Sequence, residues 1–81
     1  MVRISGQQDR DGHLVHLGAA VRQRRLAMGL SQEALADAAG IDRSHMGKVE
    51  RGERNVTILN VVRIAAALDC KVFDLVSDAR L

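Results

Sequence analysis

The sequence predicts an all-α fold, a compact bundle of five short helices. Three observations predict it. The 81 residues contain no proline and one aromatic, Phe73, so the aromatic strands and dense turn signals of a β-sandwich are missing. Apolar residues recur at helical spacings rather than in alternation. Side chains suited to capping stand ahead of the apolar stretches, and glycines follow the first two. A chain of this length makes one domain with a modest core.

Residues 1–12, MVRISGQQDRDG, are polar and aperiodic. They are expected to form a flexible N-terminal tail, leaving residues 13–81 as the domain. The first helix is predicted from His13 to about Met28, capped by Asp11 or Gly12. Leu14, Leu17, Val21 and Met28 share one face, and Gly29 is a left-handed stop. Arg25 lies beside that apolar stripe, where an unpaired charge is costly, so it requires an acidic partner. The second helix starts at Ser31, which caps it. Glu33 in its first turn suits the helix dipole, Leu35 anchors it, and Gly40 ends it. Ile41 plugs the angle to the next helix, and Asp42 caps that helix.

The third helix, Arg43 to about Arg51, has two unlike faces. Arg43, Ser44, Gly47, Lys48 and Arg51 fall within an arc of roughly 140°, while Met46 and Val49 point the other way. Gly47 is expected to be a bare spot on the exposed side that lets another surface approach. Helix four begins after the cap Thr57 and ends near Leu68, and it is apolar almost all round. Helix five, Val72 to about Ala79, adds further apolar surface. An 81-residue chain cannot enclose both, so Leu59, Val62, Val72, Phe73 and Val76 are expected at an interface with a second copy.

Charge narrows the partners. Residues 1–55 hold nine Lys or Arg against seven Asp or Glu, whereas residues 56–81 hold three against three. The whole basic excess therefore lies in the first two-thirds of the chain, a weak polyanion footprint that a solvated surface could also give. Arg and Lys on its exposed arc can donate to guanine N7 and O6, and Ser can contact several base edges. The single cysteine, Cys70, rules out an internal disulfide and fits a reducing cytoplasm. No apolar run spans a bilayer, and no secretory signal is visible. His13 and His16 share a face without a third ligand, so no metal or other cofactor is expected. No phosphate loop, zinc spacing or nucleophile elbow is present, so no enzyme is expected.

A helix, a glycine turn with an apolar plug, and a second amphipathic helix form a helix-turn-helix. The run LSQEALADAAGIDRSHMGKVERGERNVTILNVVRIAAAL resembles that of the Xre/Cro family, the phage-repressor (lambda-repressor-like) type. Within it the chain most resembles restriction–modification controller proteins. The resemblance covers about residues 14–77. It implies a five-helix, cytoplasmic homodimer that binds a two-fold symmetric DNA operator through the helix 43–51 in the major groove.

By position, the resemblance implies base contacts from Arg43, Ser44 and Lys48 and phosphate contacts from Gln32, Arg51, Arg54 and Asn55. It implies a structural ion pair between Arg25 and Glu50, and a contact of Glu33 and Asp37 with RNA polymerase. An arm reaching phosphates through Arg3 or Arg10 is a lesser reading of the tail. His45 departs from the tyrosine frequent in controllers, so a packed or backbone-bonded histidine stands at least level with a DNA contact. Val56, Asp69 and Lys71 replace a common proline, a helix-ending glycine and a capping Ser or Thr, so the C-terminal corner is expected to be looser. The alternative function is an antitoxin-type module that neutralises a toxin and autoregulates its operon.

Overall fold

The computed structural model describes residues 9–81. It contains α1 (His13–Ala27), α2 (Gln32–Ala39), α3 (Arg43–Glu50), α4 (Ile58–Ala67) and α5 (Val72–Asp78). α1 packs on α3 and α5, α2 on α3 and α4, and α4 on α5. Leu35, Met46, Ile64 and Leu75, from four different helices, meet fully buried at the centre.

Local chemistry sets most boundaries. Ser31 Oγ accepts the Ala34 N–H at 3.0 Å, and Thr57 Oγ1 accepts that of Asn60 at 3.2 Å. Asp42 Oδ2 accepts the Ser44 and His45 N–H groups at 3.1 and 3.4 Å. Each side chain takes up N–H groups that a helix start leaves without partners. The α2–α3 turn closes when Gly40 takes φ 68° and the Ile41 N–H reaches Ala36 O at 2.9 Å.

Gly12, one of the two residues expected to cap α1, is its N-cap at φ 71°. Residues 9–12, assigned to the tail, form a turn in which Asp9 Oδ2, not Asp11, accepts the Leu14 N–H at 2.6 Å. The inward face of α1 differs from expectation. Leu17, Gly18, Ala20, Val21 and Arg25 are buried, whereas Met28 is exposed because the helix stops at Ala27. Small residues bring α1 close to α3. A Cβ at Gly18 would stand 2.4 Å from Val49 O and 2.5 Å from Glu50 O. Gly52, at φ 73°, lies against α1 so that a Cβ would stand 2.6 Å from the Val15 backbone.

At the C-terminal corner the residues that depart from the family pattern find local partners. Asp69 takes the glycine role at φ 53°, and the Cys70 N–H reaches Ala65 O at 2.9 Å. The Lys71 N–H is taken by Asp74 Oδ2 at 2.8 Å, reversing the expected direction of capping. Arg24 joins α1 to α5 through Asp78, with Nε 2.6 Å from Oδ2. Cys70 is half-buried against the core, and burial raises its thiol above the ordinary value, opposed by Arg24.

Candidate nucleic-acid interface

Arg25 is the buried hub behind the third helix. Its Nε donates to Glu50 Oε2 at 2.7 Å, and its Nη2 to Glu50 Oε1 at 3.0 Å. Nη1 donates to Leu30 O in the α1–α2 turn at 2.9 Å. Glu50 Oε1 also accepts from Gln32 Nε2 at 2.9 Å. Gln32 is the first residue of α2. One bidentate pair thus ties α1, the α1–α2 turn, the start of α2 and the end of α3 together. With every lone charge matched, the cluster fixes the α2–α3 angle without stranding a polar group.

The α3 surface in front of this hub holds the cations. Arg43 and Ser44 are exposed in the first turn, Lys48 is half-buried, and Arg51 is exposed at the C-cap. Arg54 and Asn55 are exposed in the loop before α4. Gln32 is half-buried at the α2 N-terminus, where the first backbone N–H groups have no partner within the helix. Such an end suits a phosphate oxygen.

Gly47 departs from its expected place. It is buried rather than bare, because Gln32 and Arg51 lie over it. A Cβ at Gly47 would stand 3.1 Å from Arg51 Nη1 and 3.5 Å from Gln32 Oε1. The surface that the glycine admits is therefore the protein's own. The 100° periodicity located its arc but not the α2 side chain that crosses it.

Two cations of this face carry acidic neighbours. Arg43 Nη1 lies 3.6 Å from Glu33 Oε2, across the α2–α3 angle. Arg51 Nε lies 2.9 Å from Glu53 Oε2. The hydrogen bond to Glu53 raises Arg51 above its ordinary pKa, and the same bond lowers Glu53 below its own. Asp37 is exposed on α2 with Glu33. His45 is half-buried with its N–H on Asp42. Arg10 is exposed in the turn before α1, while Arg3 lies outside the described residues.

On α4 and α5, Leu59, Val62 and Phe73 are exposed, while Val72 and Val76 are half-buried. Ile58 is exposed beside them, a member of the patch that the sequence reading left out. Phe73, the one aromatic residue, is 73% exposed, an unusual place for a side chain of its size in a monomer. Among the described residues, His13 and His16 are exposed, and no cluster of three or more His, Cys, Asp or Glu could hold a metal ion. No helix of the described residues is long and apolar enough to cross a membrane.

A family model described as helix-turn-helix matches residues 21–75. The chain is similar to control protein C.SmaI of Serratia marcescens, 45% identical over 56 residues, 69% of this chain and 67% of the relative. It is also similar to control protein C.BamHI of Bacillus amyloliquefaciens, 41% identical over 59 residues, 72% of this chain and 73% of the relative. Among solved structures it resembles the restriction-modification controller protein C.AhdI from Aeromonas hydrophila. That match has a TM-score of 0.76 at 50% identity and covers 76% of this chain and 94% of that one.

Proposed function

This chain belongs to the Xre-type helix-turn-helix family of DNA-binding transcription regulators, and from that premise we propose that it is a restriction–modification controller acting as a homodimer on a two-fold symmetric operator. The observation that carries the proposal is the α3 surface. Arg43 and Ser44 are exposed and Lys48 is half-buried near the N-terminus of α2, with the buried Arg25–Glu50 pair in the scaffold. In this reading α3 enters the major groove, where Arg43, Ser44 and Lys48 contact bases. Gln32, Arg51, Arg54 and Asn55 hold phosphates and set the register. The exposed patch of Ile58, Leu59, Val62 and Phe73, bordered by Val72 and Val76, meets its copy in a second subunit. Two α3 helices then stand about 34 Å apart, one DNA turn. The protein acts in the cytoplasm, and no catalytic activity or cofactor belongs to the reading.

Activation is assigned to the exposed acids of α2, Glu33 and Asp37, through RNA polymerase. Glu33 lies close to Arg43, so Asp37 is the cleaner probe. Asp37→Asn should remove activation from a reporter while leaving operator affinity unchanged.

Selection of binding sites from random DNA tests the main reading. It should return a palindrome whose half-sites lie one turn apart. Arg43→Ala should cost about 1–3 kcal/mol and relax preference at one base position of each half-site. An equal loss on operator and random DNA would make Arg43 a phosphate contact. Phe73→Asp should give monomers in sedimentation equilibrium, and a dimer that survived would remove α4 and α5 as the interface. The apolar patch also fits the antitoxin alternative. Titration with the product of a neighbouring gene distinguishes the two, since a saturable complex would favour that alternative.

A further inference from the structure

The acid beside Arg43 has a consequence for how bases are read, provided that α3 faces the major groove as proposed above. A guanidinium has two double-donor edges, Nε with Nη2 and Nη1 with Nη2. Arg25 uses the first of these on Glu50. Bidentate recognition of guanine O6 and N7 takes one complete edge. Glu33 Oε2 stands 3.6 Å from Nη1 of Arg43, an ion pair beyond hydrogen-bond length, on the side away from the Nε–Nη2 edge. Arg51 presents the contrasting case. Glu53 holds its Nε, so its one complete free edge is Nη1–Nη2.

The placement of Glu33 is set by the scaffold. It follows Gln32, which is tied to Glu50, and Arg43 is the first residue of α3, fixed by the Asp42 cap. The two side chains are 71% and 65% exposed for Arg43 and Glu33. An exposed pair adds little stability, but it can decide where a mobile guanidinium spends its time. On random DNA the natural partner of Arg43 is a phosphate, whose negative charge the neighbouring Glu33 carboxylate repels; guanine O6 and N7 carry no net charge. On the operator the free edge can meet a guanine with Glu33 still in place.

We infer that Glu33 is a positioning residue for base reading: its carboxylate, beside Nη1 of Arg43, disfavours a phosphate there by like-charge repulsion while leaving the Nε–Nη2 edge to an uncharged guanine. The test uses the full chain, the selected operator and a random duplex of equal length. Wild type, Glu33→Gln, Arg43→Ala and the double variant are compared between about 50 and 200 mM salt, where counterion release is read. An arginine freed to one more phosphate steepens the salt dependence on random DNA by about 0.9 in log K against log salt, roughly threefold over that range. Glu33→Gln should therefore bind random DNA about threefold more tightly at the low-salt end relative to the high-salt end, with a matching loss of preference for the operator. The change should vanish in the Arg43→Ala background.

A Glu33→Gln effect that is equal on operator and random DNA, or that persists without Arg43, would overturn the inference while leaving the reading of α3 intact. Preference that is unchanged by Arg43→Ala would instead overturn the reading of α3, and the role of Glu33 with it.

Discussion

Replacing Arg25 with methionine should be the most damaging polar substitution in the domain. The Arg25 and Glu50 side chains are only 9% and 2% exposed. Methionine keeps much of the apolar stem but removes all three donors: two to Glu50 and one to Leu30 O. The carboxylate is then left with Gln32 alone. Breaking a buried pair from one side costs about 3–5 kcal/mol, because the remaining charge is stranded. A domain of this size has roughly 4–12 kcal/mol in total, at about 0.05–0.15 kcal/mol per residue. One kcal/mol moves Tm by about 4–8 °C, so Arg25→Met should lower it by at least about 12 °C. Urea unfolding followed by far-ultraviolet circular dichroism, at fixed protein concentration because a dimer couples to folding, measures the loss. Arg25→Met combined with Glu50→Leu should recover most of it, since removing both charges strands neither. A single-variant cost below about 1 kcal/mol, or a double variant as unstable as the single, would refute the argument from a buried pair.

Three further outcomes follow from local geometry. Gly18→Ala puts a Cβ 2.4 Å from Val49 O, so α1 and α3 must separate. The expected cost is about 1–3 kcal/mol in urea unfolding, despite alanine's better helix propensity, and a stabilised variant would contradict the close approach. Asp69→Gly removes a left-handed non-glycine residue at φ 53° and should raise Tm by a few degrees, about 0.5–1 kcal/mol. A fall would show that the Asp69 side chain contributes more than its backbone strain costs. Glu53 should titrate by carbon-detected NMR below its ordinary value of 4.5, because Arg51 donates to its carboxylate. Its folded pKa is depressed, so its contribution is present above the ordinary value and is lost as pH falls through the lower one. Arg51→Ala should return the titration to the ordinary range, and an unchanged titration would place the cause elsewhere.

The sequence by itself determined what lies within a few residues of itself. Ser31, Asp42 and Thr57 cap helices because a side-chain oxygen reaches an N–H two or three residues on, whatever the rest of the chain does. Helical periodicity likewise separated Arg43 and Ser44 from Met46 and Val49. It also set Arg25 beside an apolar stripe, where burial demands an acid. The tertiary structure decided what depends on distances between helices. It brought Glu50, the partner that the family resemblance implied, onto Arg25 through two guanidinium nitrogens, and it covered Gly47 with Gln32 and Arg51. It pressed Gly18 and Gly52 onto neighbouring backbone, and it joined Arg24 to Asp78. It also set Glu33 beside Arg43. Spacing along one helix fixes which way a residue faces, but packing alone fixes what stands opposite it.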